Sequence, residues 1–206
     1  MDIQRQTQAG WLAGLGSAAL ATGAVTAAAQ STGRFHWWAG FILVPGALIA
    51  ACGGPLLARG GGRAIGGYAI ASVGALVFTV GALLMLGWMG VGWPVMIALP
   101  CLAVAGTYQW RADHPLGRGL HRTVASLALV GFALGVTFLL IATGLVDFGD
   151  NTGWWGAFMM LAAVGVLANA LELGRHRIPY RLQAVTLLVG PAVVAFLLGL
   201  RFLRGW

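Results

Sequence analysis

Asp147 and Asp150 stand three residues apart in an otherwise uncharged stretch, Asp147-Phe148-Gly149-Asp150-Asn151-Thr152, the only acidic loop of the chain. Two carboxylates at that spacing can hold a divalent cation. That would be half of the metal-diphosphate site of a prenyl-transferring, lipid-modifying enzyme. The second acidic cluster such an enzyme needs is missing, so solvation of a loop, or attraction of cations to it, is the plainer reading. Loss of turnover on Asp147→Asn and Asp150→Asn is what the enzyme reading requires. His114, His121 and His176, with Asp113 and Glu172, form a second collection of ligand-type residues, but their spacing matches no metal motif. They read as solvated residues, with Glu172 expected to pair one turn on with Arg175 or His176.

Within the apolar runs the polar inventory is thin, and no Asp, Glu, His or Arg lies in the middle of one. Ion pumps, proton-coupled carriers and voltage sensors depend on such groups, so their absence speaks against those classes. The four histidines all sit at run ends or in loops, which disfavours a transmembrane haem. All twelve cations are Arg, so a retinal Schiff base or a lysine nucleophile is excluded. No cofactor and no metal is expected. Asn169 and Gln183 stand out, four residues and one residue inside their run ends, an offset of roughly 5 Å in depth at the helical rise. A long glutamine can bridge that and bond Asn169 across a hairpin, for about 1 kcal/mol, or simply point to the headgroups. Pro45, Pro100 and Pro191 each remove a helix hydrogen bond and leave the carbonyls of Phe41, Met96 and Leu187 without their usual partners. Kinks that face one another would frame a cavity for an uncharged or hydrophobic solute, with Asn169 and Gln183 near its mouth. Kinks that face lipid only bend helices.

These residues must be positioned by membrane-crossing helices. Of 206 residues, 59% are hydrophobic and 8% charged, against about 25% charged in soluble domains, and the mean hydropathy is +0.87. Seven helices are expected, at about 11–30, 37–58, 64–88, 93–110, 123–146, 154–173 and 182–200, in one transmembrane domain over 1–206. Their arrangement rests on an echo: Gly153-Trp154-Trp155-Gly156-Ala157-Phe158 repeats Phe35-His36-Trp37-Trp38-Ala39-Gly40-Phe41, and Gly92-Trp93-Pro94 is a third version. Proline follows Trp38 and Trp93 at the same seven-residue offset, and each apolar run ends at an arginine: Arg59, Arg111 and Arg175. A recurring unit of Trp, apolar run and Arg suits a span anchored at both faces, giving three hairpin repeats plus a terminal helix. Gly67, Gly74 and Gly81 recur every seven residues, a smooth stripe against which a neighbouring helix should lie. Residues 111–122 read as a polar loop. Helices three and four, with only Met89 to Gly92 between them, read as a tight hairpin. Ala27-Ala28-Ala29 before Gln30 also resembles a signal-peptide cleavage site. Cys52 and Cys101 sit at different depths, so no disulfide is expected between them.

Orientation follows from the arginines. Nine (Arg5, Arg59, Arg63, Arg111, Arg118, Arg122, Arg175, Arg177 and Arg181) fall on one side, and Arg34, Arg201 and Arg204 on the other. That bias places the amino terminus in the cytoplasm and the carboxyl terminus outside a cell inner membrane. The net charge of +7 therefore marks topology rather than nucleic acid. Three Gly-rich hairpins resemble the six-helix acid-resistance membrane proteins. Gly153-Trp154-Trp155 followed by Gly165-Val166-Leu167 is similar to the penultimate helix of acid-gated urea and amide channels. The intramembrane glutamate of those channels has no counterpart between Leu182 and Leu200, so no residue role is carried over. The expectation is a non-catalytic accessory or scaffold subunit acting through helix packing, with the bilayer and other membrane subunits or further copies as partners. A channel or carrier for a small uncharged or hydrophobic solute comes second.

Overall fold

The computed structural model describes residues 3–110, 113–149, 151–176 and 179–205. Among these the regular structure is all helical, with no strand. The chain runs through α1 (Ile3–Ser31), a 3-10 turn (Trp37–Ala39), α2 (Gly40–Ala58), α3 (Gly61–Met85), the single turn α4 (Met89–Gly92) and α5 (Val95–Gly106). A second 3-10 turn (Thr107–Trp110) follows, then α6 (Pro115–Ala142), α7 (Gly156–Arg175) and α8 (Arg181–Arg204). Among the described residues six helical segments, those built on α1, α2, α3, α6, α7 and α8, are long and apolar enough to cross a membrane, as a multi-pass membrane protein requires. The apolar stretch expected as a helix over 93–110 is shorter: α5 has 12 residues and is prolonged only by the four-residue 3-10 turn.

Helix ends follow local chemistry. Gly87, at φ 66°, closes α3, with Trp88 N–H donating to Leu83 O at 2.8 Å and Gly87 N–H to Leu84 O at 3.1 Å. This paired bond with a left-handed glycine satisfies the last carbonyls. Gly144 repeats it after α6, and Gly33 after α1. The expected ends at 88 and 146 overshoot for that reason. The expected loop 111–122 is also corrected: α6 begins at Pro115, whose fixed φ and missing N–H suit a first helical position, and the His114 side chain accepts from Leu116 N–H at 3.3 Å. Residues 111 and 112 lie outside the described residues. In α2, Pro55 does not end the helix, which continues to Ala58.

The chain divides into two compact units, Met1–Pro100 and Cys101–Trp206. In the first, α2 packs on both α1 and α3. Lipid tails are as apolar as leucine, so close backbone approach has to hold such helices together. The glycine stripe of α3 provides it: a Cβ at Gly81 would stand 2.5 Å from the Leu43 nitrogen, and Gly74 is pressed as closely on Ala50 and Gly67 on Leu57. The partner of the stripe is therefore α2. Helix α3 meets α4, with Gly92 against the Leu83 side chain, but α3 and α5 are not a closely packed pair, so the tight hairpin expected there is replaced by α2–α3. In the second unit α7 packs on both α6 and α8. Gly156 and Gly199 cross backbone to backbone, and Trp155 lies on Phe202 with ring centroids 4.2 Å apart.

Candidate functional site

Within the second unit the polar side chains gather on one seam. Gly119, Arg122, Thr123 and Ser126 recur at helical spacing on α6, and Asn169, Glu172 and Leu173 do so on α7, with His176 just past its end. At those intervals each set lies on one helix face. The two faces meet where Asn169 Nδ2 donates to Ser126 Oγ at 3.0 Å and Arg122 pairs with Glu172. Asn169 and Thr123 are buried, at 7% and 5% exposure. Ser126 Oγ gives its own proton to a carbonyl of its helix, Arg122 O at 2.9 Å or Thr123 O at 3.0 Å, and so is free to accept from Asn169. An interhelical bond of this kind contributes about 0.6 to 2 kcal/mol in a membrane protein. Arg122 and Glu172 are half exposed, and their pairing contributes no more than about 1 kcal/mol.

Beside the seam lies a cavity of about 210 Å³ lined by Tyr108, Arg118, Arg122, Asn169, Glu172 and His176, among others. Arg118 is held at its rim, Nη2 donating to Asp113 O at 2.9 Å. Behind it, His121 Nε2 lies 2.9 Å from Thr107 Oγ1, and Tyr108 meets the His121 ring edge to face at 5.5 Å. Thr107 directs its hydroxyl to Val104 O at 2.6 Å. With the Thr107 proton given to Val104 O, the Thr107 oxygen is left to accept from an N–H at His121 Nε2. The arrangement offers guanidinium donors, a phenol, an amide and one carboxylate at the polar end of two apolar helices.

The residues singled out by sequence fall differently. Asn169 bonds Ser126 on α6 and not Gln183, which is exposed on α8 and lines an open groove with Leu182, Thr186, Leu187 and Pro191. Glu172 pairs across to Arg122 rather than along its own helix to Arg175. Pro45 is exposed on α2, while the apolar groove of that unit, about 620 Å³, is lined by the other side of the helix at Ala47, Ala50, Ala51 and Gly54. Pro100 is half-buried in α5. Asp147 turns inward on its own loop: its Oδ1 accepts from Gly149 N–H at 2.8 Å, an Asx turn. Asp150 lies outside the described residues. Phe148 of this loop stacks on Trp154 at 5.0 Å, which ties the loop to the head of α7. Among the described residues no three of His, Cys, Asp and Glu gather as metal ligands, and both cysteines are free thiols. Sequence reasoning did not single out Tyr108, Arg118, Arg122 and Ser126 as site residues. The matched spacing of polar residues on two successive helices was the available signal.

Compared with protein families, with curated proteins and with solved structures, the chain matches none of them.

Proposed function

We propose that this is a non-catalytic multi-pass membrane protein that works through helix packing, as an accessory or scaffold subunit holding other membrane subunits or further copies of itself. The observation that carries this reading is the two-sided use of glycine in α1. Gly10 and Gly14 are pressed on α2, at Pro55 and Ala51, whereas Gly16 and Gly23 have no atom within 4 Å of a Cβ placed there. Ala19 and Ala27 are exposed on the same side as Gly16 and Gly23. Small residues spaced in this way let a second helix approach closely, and this side of α1 has no helix of its own unit against it. The test is native mass spectrometry of the full chain carrying Gly16→Leu and Gly23→Leu. The variant is expected to fold as before and to lose the partner or self-association of the wild type. Retained association, or a wild type with neither, overturns the reading.

We further read the chain as crossing an inner membrane seven times, amino terminus in the cytoplasm. At about 1.5 Å per residue for α5 and about 2.0 Å for the 3-10 turn, the stretch from Val95 to Trp110 reaches roughly 26 Å, near the ~30 Å hydrocarbon thickness and within what local thinning accommodates. An internal repeat is supported by local geometry. Trp37 meets Phe41 edge to face at 5.9 Å, and Trp154 meets Phe158 likewise at 6.0 Å. Each pair heads the central helix of its unit. The open apolar groove of the first unit, about 620 Å³ and lined by Ala47, Ala50, Ala51 and Gly54, favours, as second reading, a channel or carrier for small uncharged or hydrophobic solutes. Swelling of proteoliposomes in neutral solutes tests it, and rates equal to empty liposomes remove it.

A further inference from the structure

We propose that the groove between α1 and α2 holds one acyl chain of an anionic membrane phospholipid, whose headgroup lies against Arg5 and Arg59. The groove follows the contact of the two helices at Gly10 and Gly14 and is floored by Ala75 and Phe78 of α3. Its lining runs along α1 from Ala9 to Ala21, about 18 Å at the helical rise. One leaflet of the hydrocarbon core is about 15 Å deep, half of ~30 Å. The groove is therefore long enough for a lipid chain. Spread over that length, a volume of about 620 Å³ leaves a slot roughly 7 Å across, narrower than the ~10 Å of a helix with its side chains. The walls are alanine and glycine almost throughout, with Ser17 the one hydroxyl, so they suit a slender and apolar occupant.

Charge at one end of the groove selects the headgroup. Arg5 stands one turn before Ala9 on the same face of α1. Arg59 follows Ala58 at the end of α2 and reaches across to α1, where its Nε donates to Thr7 Oγ1 at 3.3 Å. That partner is a neutral hydroxyl, so the guanidinium keeps its charge, and among the described residues neither Arg59 nor Arg5 makes an ion pair. From Ile3 to Pro100 the chain has no Asp or Glu. Even counting Asp2, which lies outside the described residues, Arg5, Arg59 and Arg63 outnumber acids three to one at this end. Guanidinium groups present several N–H donors in a fixed fork, which suits the oxygens of a phosphate. At its other end the groove closes on Ala21, Ala47 and Phe78, all apolar. A cationic end and an apolar length match an anionic amphiphile. The inference goes beyond the scaffold reading and does not rest on it, because Gly16 and Gly23 lie outside this lining. It also differs from the passage of an uncharged solute, to which Arg5 and Arg59 would be indifferent.

The experiment uses the purified full chain in mild detergent, with binding read by native mass spectrometry and by the shift in thermal unfolding. Phosphatidylglycerol is the first probe, and phosphatidylcholine with the same chains is the probe without net charge. Phosphatidylglycerol should bind more tightly. Arg59→Gln should weaken it about fivefold, the effect of one arginine on an anionic lipid, while Arg181→Gln, an equal loss of charge at the start of α8, should change it less than about twofold. Ala13→Phe puts a ring into the groove and should also weaken binding about fivefold or more. Leu12→Phe is its control, since Leu12 is exposed and outside the lining, and should leave binding unchanged. Losses in Arg59→Gln and Ala13→Phe with both controls unaffected support the site. Equal losses in Arg59→Gln and Arg181→Gln would show diffuse surface charge and overturn it. Phosphatidylcholine binding as tightly as phosphatidylglycerol would do the same, as would no binding of phosphatidylglycerol. If Ala13→Phe abolished self-association and left lipid binding intact, the groove would belong to a second copy of the chain, and the lipid proposal would fall.

Discussion

At the scale of the residue, what distinguishes this chain is where it omits a side chain. Gly81 and Gly16 look alike in sequence, each in a long apolar run, yet one sits within contact distance of the Leu43 backbone and the other faces open space. Gly81→Leu should therefore destabilise the protein by about 3 kcal/mol, the upper range for forcing volume into a packed interior, while Gly16→Leu leaves the unfolding transition of the isolated chain unchanged. Thermal or denaturant unfolding in detergent separates the two, and equal effects would contradict the packing described. The stripe of Gly67, Gly74 and Gly81 is legible in the amino-acid sequence itself, because a seven-residue recurrence returns to the same helix face. The partners of Asn169 and Glu172 are not legible there. Sequence proximity favours Gln183 and Arg175, but the side chains that meet them, Ser126 and Arg122, are 43 and 50 residues away and are brought in by the packing of α6 on α7.

At the scale of the element, helix existence was readable and helix termini were not. Runs of apolar residues placed every long helix to within a few residues at one end or the other. The stops were set by Gly33, Gly87 and Gly144 in the left-handed conformation, and the early start of α6 by Pro115. In a chain with 33 glycines, a capping glycine is hard to tell from a packing one. The tryptophan pairs were readable as helix heads, and the structure gives them different work. Trp154 packs with Phe138, Phe148 and Phe158, tying the loop before α7 to its neighbours, whereas Trp155 fastens α7 to Phe202 at the end of α8. Trp155→Ala should loosen the end of α8 selectively, seen as faster hydrogen exchange over 196–204 with exchange in α1 to α3 unchanged. An aromatic contact of this kind contributes about 0.5 to 1.5 kcal/mol beyond its buried area, so exchange should quicken by roughly tenfold at most. Exchange that quickens equally in α1 to α3 would refute so local a role.

At the scale of the whole molecule, the number of crossings turns on α5. Single cysteines placed in turn at Gly87, Asp113 and Gly149, with Cys52 and Cys101 replaced by serine, report which side each connection faces. Seven crossings predict that position 113 labels from the side opposite to 87 and 149. Labelling of 87 and 113 from the same side would leave six spans, with α5 as a re-entrant or interfacial segment. The sequence carried the membrane class unmistakably, because charge is confined to loops and to the outer turns of helices, leaving the middle of each apolar run uncharged. It did not carry the division into units, which falls inside α5 between Pro100 and Cys101, at a place with no break in hydrophobicity. That division has a consequence for how the protein is made. The first unit packs α2 between α1 and α3 using only residues that precede Cys101. The 106 residues from Cys101 to Trp206 take roughly 5 to 20 s to synthesise. For that interval the amino-terminal helices can complete their glycine contacts beside the translocon while the ribosome is still at work, so a chain stalled after α5 should already resist proteolysis through its first half.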